Sequence, residues 1–362
     1  MAAPLLVLSL GYGKVGAGVL VALFAFTQIF LSLPAGRFAD RHGLKRPVGL
    51  AIIAATTGVG LAAMWPIYPV LCVSALLVGG AIGGATIALQ RHVGRAAQTP
   101  TQLKQVFSWL SIAPAASNFL GPFAAGLVID HFGFRAAFAM LAALPLLAWF
   151  LVRTARELPN EDVRPAHTET AWGLLREPGF RRLLLMNWCF SSSWDLHGFM
   201  VPVLGHDRGL SATVIGSILG AFAISAVLIR VVIPTIADRL HEWALITAAV
   251  AATGVLFLIY PLAESPLTMA ACSAMIGIAL GTVQPMILSM LHQMTPRHRH
   301  GEALAIRLVS LNLSSVAMPV MFGVLGGLLG ATGLFWMMGL TIVATSRLGY
   351  GLRNIGEHGA DH

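Results

Sequence analysis

Charge is what this sequence has least of. Its 362 residues carry 23 Lys or Arg and 15 Asp or Glu, 10% in all, where a soluble globular chain carries about 25%. Hydrophobic residues make up 57% and mean hydropathy is +0.79. Apolar runs recur along the whole chain, so a length-based division into soluble domains does not apply. Cysteine is scarce too. Cys72, Cys189 and Cys272 each sit inside an apolar run; an odd number without metal spacing excludes a disulfide framework and leaves three small core residues. The first residues lack a basic stretch, which argues against a cleavable signal peptide. Catalytic signatures are missing as well. Without His-Glu-x-x-His, Gly-x-Ser-x-Gly or a phosphate-binding Gly-x4-Gly-Lys-Ser/Thr, neither a membrane-embedded enzyme nor an ATP-driven pump is expected. His298 and His300 lie among basic neighbours with no carboxylate pair, so no metal site and no cofactor are expected.

What is present is a series of apolar stretches near the 20 residues a membrane span requires. They fall at 15–35, 47–66, 69–90, 105–129, 135–152, 183–204, 212–234, 243–263, 266–291, 302–329 and 333–350. Eleven spans predict an all-α multi-pass protein whose main partner is the lipid bilayer. The net charge of +8 does not point to nucleic acid, because the basic residues lie between apolar runs rather than along one helix face. Sorted by alternate loops they divide 19 to 3, with Arg230 inside a span. The rich side is then cytoplasmic, as expected for a bacterial-type inner (plasma) membrane.

The residues 153–182 hold 11 of the 38 charged side chains and three prolines. They read as a cytoplasmic linker between a first helical bundle, 1–152, and a second, 183–350, followed by a cytoplasmic tail, 351–362. Five spans before the linker and six after it suggest a first helix cut short. Pro4–Leu10 read as its end and Gly11–Gly18 as its outer turn, with an in-frame start about 20–40 residues upstream, the length of one more span and its flank.

The halves repeat. Ala39-Asp40-Arg41 recurs as Ala237-Asp238-Arg239, and Gly79 and Gly83 recur as Gly277 and Gly281, all 198 residues later. Pro122 and Gly126 recur as Pro319 and Gly323 at an offset of 197. Parallel six-helix repeats with a site near the bilayer midplane are a transporter architecture.

These residues resemble the major facilitator superfamily. Gly36-Arg-Phe-Ala-Asp40-Arg41-His-Gly43-Leu-Lys45-Arg46 is similar to its signature loop, Gly-x-Leu-Ala-Asp-Arg-x-Gly-Arg-Lys, departing at Phe38 and Leu44. Asp238 and Arg239 carry a decayed second copy. A further resemblance is to the antiporter motif of helix five, Gly-x8-Gly-x3-Gly-Pro-x2-Gly-Gly. The register here gives Ser108, Ser117, Gly121, Pro122, Ala125 and Gly126; three glycines are replaced, yet every position except the proline stays small, which predicts close helix packing. The resemblance implies two pseudo-symmetric six-helix bundles, here with eleven full spans. It also implies a loop that latches the halves in one access state. Asp40 suits the positive N-terminus of a neighbouring helix.

Counting the absent helix as the first, helices three, six, nine and twelve have no strongly polar residue in their apolar cores, and this predicts that every third helix faces lipid. The other spans carry Asn118, Asn187, Asp195, His197, Arg230, Gln284, Arg307 and Asn312, among others. Intramembrane polar groups face a bundle interior or a wet cavity, so Asn118, Asp195, His197, Arg230, Gln284, Arg307 and Asn312 are the candidate proton and substrate path. Asp195 lies roughly 18 Å into its span, near the midplane. An ionised carboxylate there is costly, which makes it a candidate to carry a proton, with His197 beside it. The alternative is an Asp hydrogen-bonded in a packed interface. Arg230 and Arg307 lie about 6 and 7.5 Å from the cytoplasmic ends of their spans. They read either as snorkelling cations or as a pair facing an anionic substrate. Gln284 before Pro285 predicts a kink or, equally, close packing at Gly277 and Gly281.

The leading expectation is a monomeric secondary transporter that exports a small molecule against inward proton flow, an antiporter. The alternative is proton-coupled uptake of an organic anion; an inactive truncated remnant or a membrane-embedded enzyme is a distant third.

Overall fold

The structure, a computed structural model, describes residues 2–155, 157–158, 171–210 and 212–353. Of the expected linker, residues 156 and 159–170 lie outside the described ones, as do residues 354–362 of the expected tail. In hydrocarbon every backbone N–H and C=O needs an internal partner, which leaves helices as the way to cross. Helices and short 3-10 turns are accordingly the only regular structure among the described residues. In chain order they are α1 (Ala2–Ser9), α2 (Gly13–His42), α3 (Lys45–Met64), α4 (Tyr68–Ala96), α5 (Pro100–Thr154), α6 (Pro178–Asp207), α7 (Ala212–Ile236), α8 (Glu242–Ile259), α9 (Pro266–Met294) and α10 (His300–Ser346).

α5 and α10 each hold one residue with non-helical backbone, Gly133 (φ 80°) and Gly330 (φ 70°). A positive φ is strained for any residue with a β-carbon, so glycine marks both breaks. Each break divides one long helix into two, and among the described residues eleven full helices follow the short α1. The expected spans 105–129 and 135–152 are the two parts of α5; 302–329 and 333–350 are those of α10.

Eight helical stretches among the described residues are both long and apolar enough to cross a membrane. The three full helices outside that set are the first part of α5, α6 and the first part of α10. Of these, α6 carries Asn187, Asp195 and His197, and these polar side chains lower its apolarity.

The helices form two compact units. One comprises Met1–Ala96, Ala116–Ala171 and Arg297–Asn312; the other comprises Ala97–Ala115, Trp172–Pro296 and Leu313–His362. The start of α5 thus belongs with α6–α9, and the start of α10 with α1–α4. In the first unit Leu6 and Val7 of α1 pack with Leu20, Ala62, Leu71 and Phe138 from α2, α3, α4 and α5.

The repeat extends into backbone detail. α4 and α9 begin and end at the same offset of 198. The turn after α1 has Gly11 at φ 85° and the turn after α6 has Gly209 at φ 71°. Tyr12 N–H donates to Val7 O at 3.2 Å, and Leu210 N–H to Gly205 O at 3.0 Å, each pair again 198 apart. A β-carbon on Gly79 would stand 2.3 Å from Phe24 O, and one on Gly277 2.3 Å from Phe222 O. The glycines therefore let α4 approach α2, and α9 approach α7, backbone to backbone. α9 runs helical through Pro285, and close packing is the role its glycines show.

The every-third-helix rule holds unevenly. The apolar window within Ala124–Thr154 is 11% buried, but that within Glu242–Leu262 is 50% buried. Lack of polar residues does not put α8 on the outside. It packs on α9, where Gly254 lets the second part of α10 come close: a β-carbon there would meet Gly339 O at 2.9 Å.

Candidate functional site

Two polar clusters and two enclosed arginines organise the site residues. In the first unit, α2 ends with Asp40 buried against two partners. Arg91 Nε on α4 donates to Asp40 Oδ1 at 2.6 Å, and Arg91 Nη2 donates to Asp40 O at 3.1 Å. The same carboxylate accepts the backbone N–H of Gly301 at 2.9 Å and of Glu302 at 3.2 Å. Those are the first turn of α10, where N–H groups lack helical partners and the dipole favours an anion. Glu302 in turn accepts from Arg37 Nε and Arg299 Nε, both at 2.9 Å. Gly36 makes the approach of α2 and α10 possible: a β-carbon on it would lie 2.3 Å from Gly301 O.

The rest of the signature loop is a turn. Gly43 (φ 73°) closes α2 with its N–H on Ala39 O. Lys45 N–H donates to Glu157 Oε1 at 3.0 Å. Arg41 and Arg46 are exposed, as are Asp238 and Arg239 on the 3-10 turn Ala237–Arg239.

In the second unit the corresponding contact is built from different residues. Lys104 Nζ on α5 donates to Leu240 O at 2.6 Å and lies 3.8 Å from Glu242 Oε1. Glu242 also accepts from Ser289 at 3.1 Å and Gln293 at 2.8 Å. Arg91, Lys104, Glu242 and Glu302 were not sequence-derived site candidates. Position was the available signal: Lys104 and Glu302 are 198 residues apart, so the repeat alone pairs them.

Arg230 is 3% exposed on α7. Its Nε donates to Gly281 O at 3.3 Å, Nη1 to Ser111 O at 2.8 Å and Nη2 to Gln284 Oε1 at 3.3 Å. Ser108 Oγ donates to Arg230 O at 2.5 Å, and Trp194 lies over the guanidinium at 6.0 Å. Arg230 therefore joins α5, α7 and α9 through neutral acceptors and does not snorkel. Ser108 carries the close packing expected of the helix-five motif. At Gly121 and Gly126 no described atom lies within 4 Å of a built β-carbon. Asn118 and Pro122 fall within α5, but their side chains lie outside the described ones.

Asp195 is half-buried on α6, beside the hydroxyls of Ser191, Ser314 and Ser315. Its Oδ2 has no hydrogen-bond partner among the described residues. His197 faces elsewhere: its Nε2 is 3.0 Å from Ser273 Oγ, which is 2.8 Å from the Tyr260 hydroxyl. Asn312 turns back on its own helix, donating to Leu308 O at 2.9 Å. Arg307, 2% exposed on α10, has no acceptor for Nε or Nη2 among the described residues.

Repeated helical bundles with polar groups embedded in otherwise apolar helices are the architecture of a secondary transporter. The chain belongs to the Major Facilitator Superfamily, whose model matches residues 1–240 and 183–354. It is a multi-pass membrane transporter of small molecules, not an enzyme. Among its relatives is the multi-drug resistance efflux pump PmrA of Streptococcus pneumoniae, 24% identical over 94% of this chain and 87% of the pump. Another is the multidrug resistance protein MdtG of Salmonella typhimurium, 23% identical over 86% of this chain and 80% of that protein. In fold it is similar to the human organic anion transporter MFSD10, with a TM-score of 0.78 and 19% identity over 92% of this chain and 83% of that one. It is also similar to the E. coli fucose:proton symporter FucP, with a TM-score of 0.76 and 13% identity over 96% and 95% of the two chains.

Proposed function

We propose that this transporter, working as a monomer in a bacterial inner (plasma) membrane, exports a small molecule in exchange for inward-moving protons, and that Asp195 carries the proton. The observation behind the coupling role is the setting of Asp195. Its carboxyl is half-buried among serine hydroxyls with no cation paired to it among the described residues. A hydroxyl donates to a carboxylate and accepts from a carboxylic acid, so the same surroundings serve both protonation states. The export direction is supported by the two relatives named as an efflux pump and a multidrug resistance protein.

The test is transport in proteoliposomes with a panel of dyes that includes ethidium and carboxyfluorescein. Asp195→Asn keeps size and hydrogen bonding but removes titration. The variant is expected to lose gradient-driven accumulation while retaining downhill movement and exchange. Normal proton-driven accumulation by the variant would sink Asp195 as the coupling group. A second reading, proton-coupled uptake of an organic anion, is favoured by Nε and Nη2 of Arg307, which meet no acceptor among the described residues. Accumulation of carboxyfluorescein with the proton gradient rather than against it would decide for it.

A further inference from the structure

Sequence alone places Arg230 and Arg307 at similar depths, as snorkelling cations or as a pair. The structure separates them. Arg230 has every nitrogen on a protein acceptor. Arg307 is as deeply enclosed, yet Nε and Nη2 meet no acceptor among the described residues. Those two atoms lie along one edge of the guanidinium, with their N–H bonds parallel. Their spacing matches two oxygens of one oxyanion, the bidentate arrangement for which arginine is suited and lysine is not.

No counter-charge for it is found among the described residues of the first unit either. Its described acids are Asp40, Asp130, Glu157 and Glu302. Asp40 is held by Arg91 and the start of α10, Glu302 by Arg37 and Arg299, and Glu157 by Lys45 N–H. Asp130 is exposed. An enclosed cation with two nitrogens lacking acceptors and no counter-ion among the described residues of its unit is costly. Its place in the fold is defined by its neighbour: Leu308 of α10 and Gln28 of α2 both come within 3.7 Å of a β-carbon built on Gly83 of α4. The Arg307 stretch is thus clasped by α2 and α4.

We infer that Arg307 is an oxyanion receptor: the transported molecule, or an anion that accompanies it, presents a carboxylate or phosphoryl group to Nε and Nη2. This rests on the transporter reading and narrows its substrate class. Its test is equilibrium binding, so failure of proton coupling at Asp195 would leave it standing.

The full chain in detergent is melted with benzoate, phenyl phosphate or benzamide, probes of similar size of which only the first two are oxyanions. Benzoate or phenyl phosphate is expected to raise Tm with concentration as a bound ligand does, and benzamide is not. The stronger of the two oxyanions identifies carboxylate or phosphoryl as the group recognised. Arg307→Lys keeps the charge and loses the fork, and it should need at least tenfold more probe for the same shift. Arg307→Met should lose the shift while melting no lower than wild type without probe. Three results would overturn the assignment: equal shifts from benzoate and benzamide, no shift from either oxyanion, or a wild-type response from Arg307→Lys or Arg307→Met. So would an Arg307→Met protein that melts well below wild type without probe, since the guanidinium would then already have its counter-charge in the protein.

Discussion

Two helix starts in this molecule do the same job with opposite charges. α10 begins at the end of α2, where Asp40 takes its first N–H groups and is itself held by Arg91. α5 begins near the end of α7, where Lys104 reaches the Leu240 carbonyl and Glu242. Positions 104 and 302 are equivalent in the repeat, yet one is Lys and the other Glu. At the first junction the end of α2 supplies an anion to a helix N-terminus. At the second the incoming helix supplies a cation to a carbonyl and to the acid that opens α8. Asp238, the copy of Asp40, is exposed. The repeat therefore preserves geometry, while each half finds its own way to neutralise the groups that geometry brings together.

The largest expected effect comes from breaking the first junction. Asp40→Asn leaves Arg91, whose side chain is 5% exposed, without a counter-charge, and removing one partner of a buried pair costs about 3–5 kcal/mol. Asn can still accept one backbone N–H, so insertion should survive while transport falls by at least about tenfold, the equivalent of 1.4 kcal/mol. Unchanged transport kinetics with normal expression would reduce the loop to a turn. Lys104→Met should do less, about 1–3 kcal/mol in thermal melts, because it removes hydrogen bonds to a carbonyl and leaves Glu242 its serine and glutamine donors. Lys104→Glu, which copies the charge found at the equivalent first-half position, should be worse than Lys104→Met, since it sets two acids together. Equal melting of the two variants would show that the polarity of this junction is immaterial.

Where the halves share backbone contacts, equal effects are expected. Gly79→Ala and Gly277→Ala each push a β-carbon to 2.3 Å from a carbonyl oxygen of the neighbouring helix. Overpacking of this kind costs about 1–3 kcal/mol, and the two variants should lose similar amounts in thermal melts. A large loss at one position and none at the other would break the structural equivalence of α2–α4 with α7–α9.

Much of this was legible in composition and spacing. Apolar runs near membrane length gave eleven helices with the breaks at Gly133 and Gly330 between expected spans, because backbone satisfaction in lipid leaves little alternative. The Asp40 motif pointed to a helix N-terminus through the charge the dipole favours, and the repeat of Gly79 in Gly277 identified a shared close approach. Other features were not legible. That Arg230 is satisfied depends on which carbonyls and amides α5 and α9 turn toward its guanidinium, and that Nε and Nη2 of Arg307 meet no acceptor among the described residues is equally local; no residue spacing encodes either. The pairing of Arg91 with Asp40 was hidden because arginines in loops are first explained by membrane orientation. α8 shows the limit of arguing from absence: without polar residues in its core it is still half enclosed, since an apolar helix packs as readily on protein as on lipid.

The smallest effect belongs to the helix-five motif, and it separates likeness in sequence from likeness in packing. Gly121 and Gly126 match glycines of the family motif, and small residues there predict a tight helix crossing. In the structure nothing among the described residues comes within 4 Å of a β-carbon at either position, whereas Ser108 of the same motif sits against the α7 backbone at Arg230 O. Alanine is a better helix former than glycine by up to about 1 kcal/mol. Gly121→Ala and Gly126→Ala should therefore leave Tm unchanged or slightly raised. Ser108→Ala should lower it by about 1 kcal/mol through the lost hydrogen bond. If either glycine variant instead melts lower than Ser108→Ala, or transports poorly at normal Tm, then α5 meets a close neighbour there during the transport cycle. The motif's glycines would then serve a second arrangement of the helices.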